Sequence, residues 1–317
     1  MRSRAERGNE NTITAMLRRL LELIRFSHTL FALPFALLAA AMAWSANARA
    51  RPPIEFRWLD LLGILVCMAT ARSAAMAFNR LADRRLDAAN PRTQLRHLPT
   101  GALSTSSVVG FTVACSLGFV GGTLLFLPRN PIPLAASLPV LLFLFGYSYA
   151  KRLTALSHFW LGAALMLAPL AAWVAIRGEL SWAPLVLGAA VMLWVAGFDM
   201  LYACQDFDFD VRMHLHSVPA RFGVAAALRL AALCHLGMVV LLLLLPLVYD
   251  GFHGIYLAGV AAIGLLLAYE HWLVQPDDLT RVNRAFFHVN AVVSIGLLVV
   301  GVVDLLISGQ WSVVSGQ

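Results

Sequence analysis

The chain has 317 residues, of which 60% are hydrophobic and only 13% charged, with a net charge of +7. A soluble domain carries about 25% charged residues. This composition, with a mean hydropathy of +0.76, therefore excludes an ordinary water-soluble enzyme and places the apolar surface in a lipid bilayer.

Apolar stretches of spanning length lie at 26–46, 58–78, 105–127, 132–150, 157–176, 182–203, 223–247, 255–274 and 285–307. Each is near the ~20 residues that a bilayer core requires, which predicts nine transmembrane helices and an all-α integral membrane fold. The first stretch follows Arg18, Arg19 and Arg25, and Ala46-Asn47-Ala48 resembles a signal-peptidase site. Its length is enough to cross a bilayer and many spans follow, so it reads as a retained first helix. Turn and end signals separate the stretches: Arg51-Pro52-Pro53, Pro128-Arg129-Asn130-Pro131, Arg177-Gly178-Glu179, Asp250-Gly251 and Pro276-Asp277-Asp278. No Gly/Ser- or Pro-rich linker divides the chain. The expected organisation is a cytoplasmic segment at 1–22, one membrane domain at 23–310 and a tail at 311–317. Cys67, Cys115, Cys204 and Cys234 form no CxxC pair or zinc-site spacing and read as small buried hydrophobes.

Charge gives the orientation. With the N-terminus inside, 17 Lys and Arg fall on the cytoplasmic side and five on the other, while Arg72 and Arg229 lie within spans. This is the positive-inside pattern, and it accounts for the basic balance without a nucleic-acid partner. Arg49, Arg51 and Arg57 form the one discordant loop.

Ionisable residues near spans are costly and need a reason. The second stretch ends in Asn79, Asp83 and Asp87, spaced i, i+4, i+8 on one helical face, with Arg72 two turns earlier. The sixth ends in Asp199, Asp206 and Asp210, spaced i, i+7, i+11, while Asp208 points elsewhere. Four spans separate the two ends, so both face the cytoplasm. Carboxylates sharing a face repel one another, by about 3 kcal/mol per pair at ~5 Å and an effective dielectric of ~20. A cation or arginines must offset this. Oxygen donors suit Mg²⁺, which commonly completes its shell with substrate phosphates. The plainer alternative is an interfacial cap in which the aspartates pair with Arg80, Arg84 and Arg85. An EF-hand is excluded: in the loop opened by Asp206-Phe207-Asp208-Phe209-Asp210, the required Gly is Val211 and the required Glu is Ser217.

These segments resemble the UbiA prenyltransferase family. NRLADRRLD at 79–87 with NPRTQLRHLPTGALS at 90–104 is similar to the family's first aspartate-rich motif, and FDMLYACQDFDFD at 198–210 with LHSVPARFG at 215–223 to its second. YSYAKRLT at 147–154 resembles the basic stretch after the fourth helix. Arg72 and the Arg25 of IRFSHT match recurrent arginines. The resemblance implies a nine-helix bundle around a central cavity, in which polyprenyl diphosphate and a small aromatic acid react. It implies that Asn79, Asp83 and Asp87 hold one Mg²⁺ and Asp206 and Asp210 another. Lys151 and Arg152 would contact the diphosphate, and Arg72 that group or an anionic acceptor. Asp199 would line the cavity. Arg25 and Tyr147 would contact substrate, Tyr147 with either a cation-shielding or a plain interfacial role. The loops with Arg92, Arg96 and His97, and with His214, His216 and Arg221, read equally as lids or as solvated positive-inside residues. Family members often carry Gly near His214.

Many members acting on 4-hydroxybenzoate carry Asp-Lys-Pro after the first-helix arginine, where this chain has Ser27-His28-Thr29 after Arg25-Phe26. The acceptor stays open between 4-hydroxybenzoate and naphthoate-like precursors of ubiquinone or menaquinone. The expected location is a bacterial inner membrane with the site facing the cytoplasm. Alternatives are a cation-coupled transporter using the paired aspartates, and a prenyltransferase acting on haem or a chlorophyllide.

Overall fold

The computed structural model describes residues 16, 18–23, 32–47, 56–274 and 282–308. The expectations for Arg25, for most of the segment 1–22 and for the tail 311–317 lie outside the described residues. Within them the elements run α1 (Leu33–Asn47), α2 (Trp58–Ala89), α3 (Thr105–Thr123), α4 (Ile132–Leu153), α5 (Ser157–Arg177) and α6 (Trp182–Ala203). Two short helices follow, α7 (Phe207–Arg212) and α8 (Val218–Phe222), and then α9 (Val224–Leu244), α10 (Gly254–Leu273) and α11 (Val282–Ile307). Among the described residues, eight helices are long and apolar enough to cross a membrane. The shorter α1 is the described part of the first predicted stretch. The protein is a multi-span integral membrane protein with an all-helical fold.

Burial sorts the helices into centre and rim. Of the described spans, the one containing α6 is the most buried and α4 the least. The α6 side chains Leu187, Ala190, Val191, Trp194 and Val195 are fully covered and join α1, α5, α9, α10 and α11 in one apolar core. Without water between helices, close packing and small residues hold such a bundle together. Two glycines make the closest approaches possible. A Cβ at Gly162 of α5 would strike the Met192 carbonyl oxygen of α6, and one at Gly197 of α6 would strike the His235 ring of α9. α1 is enclosed: Ala36, Leu38, Ala39, Ala40, Met42 and Ala43 have no exposed surface.

At the end of the bundle away from the aspartate motifs, Asp60 accounts for part of the discordant arginine loop. It is 2% exposed, and Arg57 and Arg129 approach its two oxygens at 3.7 and 3.5 Å. Arg57 and Arg129 therefore share a buried counter-charge. Arg49 and Arg51 lie outside the described residues.

Candidate active site

Helix length puts the acidic residues where they can act. α2 has 32 residues, about 48 Å at 1.5 Å per residue, against a hydrocarbon core of ~30 Å. Its last turns, with Asn79, Asp83 and Asp87, therefore reach beyond the apolar layer. α6 continues through the 3₁₀ turn Cys204–Asp206 into α7 and carries Asp206 and Asp210 to the same end. The helix α2 stops at Asn90, whose extended backbone (φ −91°, ψ 120°) suits the residue before a proline. Asn90 then joins the two motifs: its Nδ2 donates to Asp206 Oδ1 at 3.1 Å.

Asn79, Asp83, Asp87, Asp199, Asp206 and Asp210 all line one polar cavity of about 170 Å³ together with Tyr147 and Lys151. Asp83, Asp87 and Asp210 are buried, and Asp208 is exposed. The carboxylates find their counter-charges on other elements. Arg152 Nη2 donates to Asp83 Oδ1 at 2.8 Å, and Lys151 Nζ stands 3.7 Å from its Oδ2. Asn79 Nδ2 donates to the same Oδ2 at 3.2 Å. Arg96 Nη1 donates to Asp87 Oδ1 at 2.7 Å. Arg92 gives Nε and Nη2 to the two oxygens of Asp206 and Nη1 to the Tyr202 hydroxyl at 2.6 Å. Burial works against the charge on Arg92, but the Asp206 carboxylate and Tyr202 outweigh it and hold the guanidinium above its usual range. Arg84 and Arg85 are exposed, while Lys151 and Arg152 of α4 and Arg96 of the loop after α2 stand against Asp83 and Asp87.

The second loop is fastened to the same cavity. His216 N–H donates to the Lys151 carbonyl at 2.7 Å. Ser217 caps α8 by accepting the Ala220 N–H at 3.3 Å. His214 sits at φ 53°, a left-handed conformation that Gly adopts more easily. His158, which opens α5 and is 3% exposed, bridges the loop to α6. Its Nδ1 bonds Asp199 Oδ2 at 2.7 Å, and its Nε2 accepts the Val218 N–H at 3.2 Å.

Above the polar cavity lies an apolar one of about 220 Å³, and Asn79 and Tyr147 line both. Arg72 stands in the apolar wall, and its Nε has no hydrogen-bond partner among the described residues. Outside, a further cavity of about 460 Å³ carries Arg80, Arg92, Arg96 and His97.

The donor set suits a hard divalent cation, because one amide and four carboxylates supply only oxygen. Among the described residues no three His, Cys, Asp or Glu side chains converge closely enough to hold a metal as they stand. Guanidinium and ammonium groups occupy the positions beside Asp83, Asp87 and Asp206.

The profile of the UbiA prenyltransferase family matches residues 32–292. The chain belongs to the UbiA prenyltransferase family. This UbiA-family prenyltransferase is 31% identical over 251 residues to a 4-hydroxybenzoate octaprenyltransferase of Vibrio vulnificus, covering 76% of this chain and 84% of that one. It is 30% identical to a protoheme IX farnesyltransferase of Thioalkalivibrio sulfidiphilus, over 70% of this chain and 74% of that one. Its fold superimposes on a UbiA homolog from Aeropyrum pernix with a TM-score of 0.77 at 31% identity, covering 88% of this chain and 98% of the other. The fold also matches an Archaeoglobus fulgidus UbiA homolog bound to GPP and Mg²⁺, at TM-score 0.59 and 18% identity, over 91% and 99% of the two chains.

Asn90, His158 and Tyr202, not singled out from the sequence, also line the polar cavity. Tyr202 was accessible to spacing, three after Asp199 and four before Asp206 on the same face. Asn90 and His158 were not, since their partners lie 116 and 41 residues away.

Proposed function

We propose that this prenyltransferase transfers a polyprenyl group from polyprenyl diphosphate to 4-hydroxybenzoate or a related aromatic precursor in ubiquinone or menaquinone synthesis. One observation carries the reading: both aspartate-bearing helix ends line a single cavity that also holds Lys151 and meets an apolar cavity containing Arg72. The identity to 4-hydroxybenzoate octaprenyltransferases supports the acceptor class.

Asn79, Asp83 and Asp87 would hold one Mg²⁺, and Asp206 and Asp210 a second. When bound, the two ions offset the charge that builds on the diphosphate as its bond to the allylic carbon breaks. Lys151, Arg152, Arg92 and Arg96 supply fixed positive charge to the same leaving group. Each exchanges its present carboxylate for phosphate oxygens, so no bare charge is exposed during binding. The apolar cavity dissolves the isoprenoid and keeps water from the allylic cation. Tyr147 stands between the two cavities, where cation and ring meet. Arg72 is a cation in an apolar wall with an unpartnered N–H, which suits the carboxylate of an aromatic acid.

The 17-to-five distribution of positive charge supports a cytoplasmic mouth in a bacterial inner membrane. The relationship to a haem farnesyltransferase favours a second reading in which a porphyrin is the acceptor. A cation-coupled transporter is disfavoured, because transporters place their ion sites near the midplane on broken helices, whereas these carboxylates stand at helix ends.

The test is product formation by purified protein in liposomes with Mg²⁺, a series of polyprenyl diphosphates, and 4-hydroxybenzoate, a dihydroxynaphthoate or haem, read by mass spectrometry. Prenylated 4-hydroxybenzoate is expected. Asp83→Asn and Asp206→Asn should each abolish it while the protein still folds; full activity in both would refute the assignment of the aspartates.

A further inference from the structure

We propose that Asp199 takes up the proton lost by the aromatic ring and that His158 is its positioning residue, an inference that rests on the prenyl-transfer reading above. The bond from the allylic carbon to the diphosphate oxygen breaks, with its electron pair leaving on the diphosphate. Ring π electrons form the new carbon–carbon bond. The ring carbon then holds one hydrogen too many, and its C–H electrons return to the ring as the proton leaves to a base. No further reactant is required.

Hydrogen-bond directions fix the state of the pair. The Val218 N–H can only donate, so His158 Nε2 presents a lone pair. The imidazole is then neutral with its one proton on Nδ1, and that proton goes to Asp199 Oδ2. Asp199 is thereby set as an acceptor, one oxygen held by a buried histidine. The Asp199 side chain keeps 23% of its surface and lines the polar cavity beside Tyr147. Asp83, Asp87 and Asp206 each face an arginine, whereas Asp199 and Asp210 have neutral partners in His158 and Ser217; of these two, Asp199 is the one outside the proposed cation ligands. A carboxylate whose partner is neutral can take up a proton without leaving a sheltered cation unpaired, which suits it to proton uptake. A purely structural role would use His158 as a strut between α5 and the second loop, and the Nε2 bond alone would serve that.

The two ring nitrogens can be tested apart. His158→Asn keeps an N–H near the Nδ1 position and loses the Val218 contact. His158→Gln keeps an acceptor near Nε2 and loses the Asp199 contact. With ring-deuterated 4-hydroxybenzoate, labelled beside the hydroxyl where alkylation is electronically favoured, His158→Gln should lower kcat about 10–100-fold. It should also raise the deuterium isotope effect and leave KM for the polyprenyl diphosphate within about twofold, since ion pairs hold that group. His158→Asn should recover most of kcat. Should His158→Gln fail to fold, Asp199→Asn carries the test: it still accepts from His158 but cannot take a proton, and kcat should fall about 10²–10⁴-fold. Equal behaviour of the Asn and Gln variants, lost kcat with an unchanged isotope effect, or wild-type kcat in Asp199→Asn would overturn the proposal. Proton uptake by the released diphosphate would give that last result. If the wild-type protein with Mg²⁺ yields no prenylated acid at all, the enzyme reading itself fails and the proposal goes with it.

Discussion

Replacing Arg92 by Ala tests whether the arginines stand where the cations bind. Arg92 donates twice to Asp206, and the side chains are 31% and 17% exposed. A sheltered charge-assisted hydrogen bond contributes about 1.5–3 kcal/mol. Partial exposure screens the pair, leaving about 2 kcal/mol for the whole contact. In the absence of metal, Arg92→Ala should be less stable by about that amount, because Asp206 keeps Asn90 alone against the nearby Asp210. In the wild-type protein a cation must first displace the guanidinium, whereas in the variant no cationic side chain stands on Asp206 and Asn90 alone holds it. At 1.4 kcal/mol per tenfold change, the Mg²⁺ concentration that half-saturates thermal stabilisation should fall about 30-fold in the variant. The measurement is a thermal melt in detergent across a Mg²⁺ titration, without diphosphate. Parallel curves, with the variant below the wild type by the same margin at every Mg²⁺ concentration, would refute the exchange.

Two further changes probe the acceptor pocket and the bundle. Arg72→Ala should reduce kcat/KM for 4-hydroxybenzoate about 10–100-fold, the worth of one sheltered charged contact, while Mg²⁺-dependent hydrolysis of polyprenyl diphosphate continues; equal loss of both would show that Arg72 serves the diphosphate instead. Gly197→Ala should lower the melting temperature, since its Cβ collides with the His235 ring and overpacking costs about 1–3 kcal/mol. Removing the ring in a Gly197→Ala, His235→Ala double variant should recover part of that loss.

Much of the architecture was legible because lipid imposes one rule on the whole chain: each span must be apolar for about 20 residues and must satisfy its own backbone. The acidic faces were legible because helical periodicity turns spacing into direction. Arg57 looked misplaced by charge counting alone, because counting does not register that Asp60 lies within reach of it and of Arg129. The partners of the aspartates were hidden for the same reason. Asp83 lies 69 residues from Arg152, and Asp206 lies 114 from Arg92. A long-range pair leaves no local periodic trace, and the basic residues involved are indistinguishable in sequence from the positive-inside flank. His158 carried no signal at all, being one polar residue at the start of an apolar helix.

The enclosure of α1 bears on how the bundle comes together. α1 rests on α5 and α11, with lesser contacts to α2 and α6, so it is wrapped by segments that leave the ribosome after it. Its alanine-rich surface is therefore covered in two stages along the chain, first by α5 and then by α11. Contact between α1 and α11 joins an early and a late segment of the described bundle, so the cover over α1 is complete only with α11 docked.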